Sequence, residues 1–165
     1  MQKIAIYSDG SAKGNPTGPG GYGTVVKFLD KNGDVTKTNE YAEGFKVTSN
    51  NRMELMGVIA GLESLSKVSD VTITSDSSYV VNAFNQQWID KWISNGWKTS
   101  SGKEVKNIDL WKRLIQAKSP HKVKFIWVKG HNGHPENERC DFLATSAADG
   151  KSMVKNKEGV YTVEK

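Results

Sequence analysis

Four acidic side chains occupy unusually apolar surroundings: Asp9 in YSDGS, Glu54 in RMELM, Asp76 in TSDSS and Asp141 in RCDFLA. Asp9 and Asp76 each end an apolar run with the look of a strand. If those two strands are neighbours, they lie roughly 4.8 Å apart and both carboxylates reach the same sheet edge. Two unscreened carboxylates that close repel, and one takes up a proton unless a cation lies between them. Glu54 falls on the flank of a helix's apolar face. Its neighbours four residues away are Asn50 and Val58, so no ion pair within the helix accounts for it. Asp141 is surrounded by Cys140, Phe142 and Leu143, with Arg139 directed elsewhere. Any one of these acids alone reads as a cap or a solvated side chain. Four from four separate elements read as an all-oxygen site, which suits Mg²⁺ or Mn²⁺.

The stretch GHNGHPENERCDFLA at 130–144 also gathers His131, His134, Cys140 and Asp141. Zinc would require a closed set of four ligands, and adjacent helical residues such as Cys140 and Asp141 point about 100° apart. Cys140 is expected as a small core residue. His134, beside Pro135, is expected to cap or pack the start of the helix. Gly18–Gly23 formally spells G-x-G-x-x-G, but TVVKFL follows and reads as a strand, where the dinucleotide fingerprint needs a helix. No nucleotide cofactor is expected there. The glycines are expected to permit a tight turn into strand two.

The elements that must position these residues follow from periodicity. Lys3–Asp9 is nearly continuous in apolar character and predicts a central strand buried on both faces. Tyr22–Leu29 predicts a second strand, DKNGD at Asp30–Asp34 a hairpin turn, and Val35–Phe45 the returning third strand. Asn50–Leu65 shifts to helical spacing through Leu55, Val58, Ile59, Leu62 and Leu65. Val71–Asp76 predicts a fourth strand, parallel to the first or to its neighbour because a helical crossover precedes it. Helices are expected at Ser77–Asn85 and Ile108–Ala117, with a Trp-rich segment between them. Val123–Val128 predicts the fifth strand. Pro135 suits the first turn of a last helix through about Ala148. The expected fold is α/β: a five-stranded mixed sheet, an antiparallel meander then parallel crossovers, with helices on both faces. One domain over 1–150 and a polar C-terminal tail over 151–165 are expected.

The 165 residues include 36% hydrophobic and 25% charged side chains, a folded globular composition. No run approaches 18 apolar residues, so no membrane span is expected. MQKIAIY lacks a signal-peptide layout. A single cysteine cannot form an intramolecular disulfide, which makes a reducing, cytoplasmic location the default. The net charge of +5 and pI of about 9.2 fit an anionic partner such as nucleic acid.

YSDGSAKGNPTGPGGYG, SNNRMEL, TSDSSYV and VKGHNGHPENERCDFLA resemble, in order and spacing, the four motifs of type 1 ribonuclease H, the cellular single-domain form. KNIDLWKRL resembles the helix before that family's last strand, and the likeness runs from about residue 3 to 148. The resemblance implies the ribonuclease H-like fold and endonucleolytic cleavage of the RNA strand in an RNA–DNA hybrid, by a monomer, giving 5′-phosphate and 3′-hydroxyl products. It implies that Asp9, Glu54, Asp76 and Asp141 bind two Mg²⁺ ions, with Mn²⁺ able to substitute. Asp9 would bridge both, Asp141 would help hold the ion that activates water, and Glu54 and Asp76 would favour the other. His131 matches the family's loop histidine, whose ordinary pKa near 6.5 lets it shuttle a proton or help product leave.

The same resemblance assigns Asn15, Asn50 and Asn51 to the 2′-hydroxyls of the minor groove. Ser49 and Asn107 match positions that grip a phosphate of the DNA strand. WIDKWISNGWK matches a protruding handle in which Trp88 and Trp92, with Lys98 and Lys106, can line a channel for the DNA backbone. Trp88 is expected to belong partly to a small satellite core. Three departures bear on affinity and leave the chemistry in place. Val47 stands where many bacterial members carry a basic residue, Ser78 replaces a longer side chain, and Asp90 and Ser94 make the handle less basic. Two rival readings are an integrase- or resolvase-like nuclease of the same fold and a non-catalytic hybrid-binding protein. The NNRMEL and GHxGHP context argues against the first, and the presence of all four carboxylates against the second.

Overall fold

Asp30 closes the hairpin expected at Asp30–Asp34. Its Oδ1 accepts from the N–H groups of Asn32 and Asp34 at 2.9 and 3.0 Å, and within the turn Gly33 takes the left-handed backbone, with φ of 87°. The turn joins β2 (Gly18–Leu29) to β3 (Val35–Thr48), and β1 (Gln2–Ala12) precedes them. The computed structural model describes residues 1–14, 17–130 and 134–149. The expected tail over 151–165 therefore lies outside the described residues, as do Asn15 and His131.

Beyond the meander come α1 (Asn50–Glu63), β4 (Ser69–Ser75), α2 (Ser78–Asn85), α3 (Trp88–Ser94), α4 (Ile108–Lys118), β5 (Lys122–Trp127) and α5 (Pro135–Ala148). The sheet order is β3-β2-β1-β4-β5, with β1 antiparallel to β2 and parallel to β4. The expected mixed sheet is thus present, and strands one and four are neighbours. The Trp-rich segment supplies a short helix of its own, α3.

One face of the sheet carries the main core. Ile4 and Ile6 of β1 and Val71 and Ile73 of β4 are buried with Leu55, Val58, Ile59 and Leu62 of α1 and Trp111 and Leu114 of α4. This is the i, i+3, i+4, i+7 face predicted for α1. The opposite face holds a smaller cluster of Val25, Ala42, Cys140, Leu143 and Ala147. Here the expectation of a first strand buried on both faces is corrected. β1 alternates, because Ala5 and Tyr7 are only half-buried where α5 covers β1 to β3 and leaves part of the sheet uncovered.

The glycine-rich run is also corrected. It does not turn into strand two; it is the start of strand two. A side chain on Gly23 would place its Cβ 2.4 Å from the Cys140 carbonyl oxygen and 2.5 Å from the Leu143 Cβ. Its absence lets α5 lie directly on β2. Among the described residues no helix is long and apolar enough to cross a membrane.

Gly23→Ala is expected to destabilise the protein by about 1–3 kcal/mol, because the clash is with helix backbone and cannot be relieved by a rotamer change. Urea denaturation checks this; an unchanged midpoint would show that α5 moves freely away from β2.

Candidate active site

Asp9 lies in the second half of β1, one residue past the last pair of the parallel ladder, Ser8 with Ser75. Asp76 follows Ser75 directly, so the two carboxylates continue the register of neighbouring strands. Glu54 arrives from α1. A Cβ on Gly10 would meet the Glu54 nitrogen at 2.4 Å and the Met53 carbonyl carbon at 2.5 Å, so α1 crosses β1 at a position without a side chain. Asp9 pairs across the sheet with Gly23, the residue on which α5 rests. Both helices beside Asp9 are thus set by close backbone approach at a glycine. Asp141, one residue past Cys140 on α5, lies near enough to help raise the Asp9 pKa, but it is not among the acids whose oxygens all fall within 4.8 Å of one another.

Carboxylate oxygens of Asp9, Glu54 and Asp76 lie within 4.8 Å of one another. Burial, then the charge of Asp76, pushes the Asp9 carboxyl up to about 7, with Asp141 adding to the effect. The Gly10 N–H opposes this by donating to Asp9 Oδ1 at 2.9 Å. Glu54 is buried, and burial followed by the charges of Asp9 and Asp76 raises its pKa well above the ordinary range. The charged side chains that dominate both shifts are acids. An oxygen-only set of crowded carboxylates fits a hard divalent cation such as Mg²⁺ or Mn²⁺. Cys140 does not join this set: it is buried on the side of α5 that packs with Val25 and Ala42, where burial first of all raises its thiol pKa. His134 occupies the N-cap of α5 without a side-chain capping bond, so a cap made by its ring is not formed.

The other sequence-predicted residues divide into three places. Ser49 is the N-cap of α1, its Oγ accepting from the Arg52 N–H at 3.2 Å, while Asn50 and Asn51 are exposed in the first turn. Asn107 precedes α4 in a left-handed conformation; its Oδ1 accepts from Arg52 at 3.2 Å and its Nδ2 donates to the Tyr79 hydroxyl at 3.1 Å. Arg52 also grips Asp109 with two bonds of 3.0 and 2.7 Å, tying the N-termini of α1 and α4 together. Trp88 and Trp92 are half-buried in a chain of rings that reaches Trp111, with centroids 6.4 and 5.3 Å apart along it. Lys98 and Lys106 are exposed nearby. A groove of about 540 Å³ runs between Trp88, Trp92 and Lys98. Val47 is 74% exposed, as fits a surface position. A larger hollow of about 940 Å³ lies around Lys3, Asp70, Ile93 and Lys122, and it contains none of the clustered carboxylates.

Sequence reasoning missed Arg52, Tyr79 and Asp109, although Arg52 stands inside NNRMEL and Asp109 inside KNIDL. It also missed Gly130 and Trp127, which abut Asp76. Only the fold brings these residues to their partners.

The model of the family described as RNase H matches residues 1–149. A protein named Ribonuclease H from Lachnoclostridium phytofermentans is 59% identical over 151 residues, spanning 92% of this chain and 95% of its own. Another of the same name, from Pseudoalteromonas atlantica, is 53% identical over 154 residues, covering 93% and 95%. Among solved structures, LC9-RNase H1, a type 1 RNase H, superposes with a TM-score of 0.81 at 34% identity, over 92% of this chain and 74% of that one.

Asp9→Asn is expected to stabilise the metal-free protein by roughly 1 kcal/mol or more at neutral pH, by removing like-charge crowding. The sign follows from the raised pKa. The folded state holds the proton up to about 7, whereas the unfolded chain releases it near 3.9, so metal-free stability falls as pH rises between those values. Denaturation without divalent ions across that window checks both statements. A lower midpoint for Asp9→Asn, or a flat profile in the parent, would contradict the clustering.

Proposed function

The chain belongs to the RNase H family and is a ribonuclease of that family, and from this we propose that it hydrolyses the RNA strand of RNA–DNA hybrids at the carboxylate cluster. The observation that carries the reading is the convergence of Asp9, Glu54 and Asp76 oxygens within 4.8 Å at the shared end of β1 and β4. Asp9, Glu54, Asp76 and Asp141 would hold two divalent ions, Mg²⁺ with Mn²⁺ as a substitute. When bound, such ions supply an activated water, a stabilised leaving oxygen and neutralised phosphate charge.

The chain's own groups hold and orient. The Gly10 N–H fixes the Asp9 carboxylate. Ser49 and Asn107 lie at the N-termini of α1 and α4, whose exposed N–H groups and dipoles favour a phosphate of the DNA strand. Arg52 joins the two ends, so the grip is set before substrate arrives. Asn15, Asn50 and Asn51 would meet 2′-hydroxyls in the wide minor groove, which distinguishes RNA from DNA. Trp88, Trp92, Lys98 and Lys106 would receive the DNA backbone. His131 would carry a proton or help product leave. The products would be a 5′-phosphate and a 3′-hydroxyl. The working form is a cytoplasmic monomer without a nucleotide cofactor, with the catalytic domain in 1–150 and the polar tail in 151–165.

One gel tests the central claim: labelled hybrid, duplex DNA and duplex RNA, each with and without Mg²⁺. Cleavage of the hybrid's RNA strand alone, and only with Mg²⁺, is expected. Asp9→Asn should leave less than a few per cent of this activity while the protein still folds and binds hybrid; greater retention would mean that Asp9 does not hold the ions.

Replacing Lys98 and Lys106 together with Ala should raise the Michaelis constant and flatten its log–log dependence on salt by roughly one unit or a little less for each phosphate that is no longer neutralised. The maximal rate should hardly change, because such lysines bind ground and transition states alike. Steady-state kinetics at several salt concentrations decides; an unmoved slope would make both lysines solvated surface.

A further inference from the structure

Trp127 ends β5 with 51% of its surface exposed, an uncommon setting for the largest apolar side chain. Its ring is nevertheless anchored. The indole N–H donates to the backbone carbonyl of Asp76 at 3.1 Å. That carbonyl belongs to the first residue beyond β4, where the β1 ladder has already ended at Ser8 and Ser75. On the other side, the β4–β5 ladder stops at Ser75 and Trp127, and one further bond, from the Val128 N–H to the Ser75 carbonyl at 3.0 Å, extends it. Gly130 then approaches the carboxylate itself. A Cβ there would lie 2.8 Å from Asp76 Oδ2 and 3.6 Å from the Asp76 Cβ. Asp76 is therefore bounded at its main chain by Trp127 and at its side chain by Gly130.

We infer that Trp127 is a positioning residue for Asp76: its indole N–H fixes the main chain from which this carboxylate enters the cluster, while Gly130 leaves the space the carboxylate occupies. The inference rests on the reading of Asp76 as one of the groups that hold a divalent ion. It assigns a job to the indole nitrogen and not to the ring face. A metal site needs its donors held close to the productive geometry, and groups outside the donor set commonly do the holding. Without the N–H, Asp76 samples more main-chain conformations, and ordering it again weakens ion binding.

The test compares Trp127→Phe, which keeps a ring and loses the N–H, with Trp127→Ala, which loses both. Mg²⁺ binding to the free protein is measured by calorimetry, and cleavage of labelled hybrid is measured across Mg²⁺ concentrations. Both variants are expected to bind Mg²⁺ about three- to tenfold more weakly, as for the loss of one hydrogen bond, and by similar factors. The Mg²⁺ concentration for half-maximal rate should rise in parallel, while the Michaelis constant for hybrid at saturating Mg²⁺ stays within about twofold for Trp127→Phe. Unchanged Mg²⁺ affinity in both variants overturns the inference, whether or not thermal stability falls. A raised Michaelis constant in Trp127→Ala alone, with normal Mg²⁺ affinity, also overturns it and makes the ring a substrate contact. Should neither variant fold, Gly130→Ala asks the same question from the carboxylate side, and wild-type Mg²⁺ affinity there overturns the inference. If the wild-type protein binds no Mg²⁺, the metal-binding reading of the cluster fails and takes the inference with it; normal wild-type binding with unaffected variants sinks the inference alone.

Discussion

Asp9 cannot be ionised, half-buried and crowded by Glu54, Asp76 and Asp141 at once without a counter-charge. Its pKa of about 7 and the raised pKa of buried Glu54 express that conflict in the metal-free chain. Folding brings the carboxylates together despite their repulsion, so the hydrophobic core must supply the difference. The main core does so on one face, where large aliphatic side chains of α1, β1 and β4 are buried in one cluster with Trp111 and Leu114 of α4. A divalent cation at the cluster would convert the repulsion into attraction, which is why the same residues that weaken the metal-free protein fit an ion-dependent reaction.

The crowding depends on how near the two helices come to β1. Gly10 lets the α1 backbone cross close enough to deliver Glu54, and Gly23 does the same for α5 and Asp141. These glycines flank Asp9, one in sequence and one across the β1–β2 pair. A helix held off by even one methyl group would carry its carboxylate away from the others. The glycine-rich start of β2 is therefore a mechanical part of the site.

A second layer of organisation ties the helix ends to the site's rim. Arg52 reaches Ser49 through its own backbone N–H and reaches Asn107 and Asp109 through its guanidinium. Tyr79 receives both the Asn107 amide and the Trp111 indole N–H, the latter at 3.2 Å. Trp111 is fully buried, so the N-terminal end of α4 is fastened to the main core and not to a loop. The half-buried rings of Trp88 and Trp92 continue outward from Trp111, which gives the handle a stiff root and an exposed, lysine-bearing outer part.

The sequence by itself determined the order and kind of the elements other than α3, because period-2 and period-3.6 patterning are local properties. It also singled out the four acids, Asp9 and Asp76 at strand ends and Glu54 and Asp141 on helices, because four acids among apolar neighbours on four separate elements are poorly explained as caps or solvated side chains. Ser49, Asn107 and the handle were legible only through the motifs' resemblance to a family. Tertiary structure decided what single-chain patterning cannot encode. It made β1 half-covered on one face, because only the placement of α5 determines which strands it shields. It made Gly21 and Gly23, within the run expected to form a turn, a landing surface for a helix, since close approach is a property of two backbones. It joined Arg52 to Asp109, and Trp127 and Gly130 to Asp76, across sequence separations that carry no local signal. Residues that act on a carboxylate through its main chain or its free space leave no motif of their own, and only the sheet register brings them together.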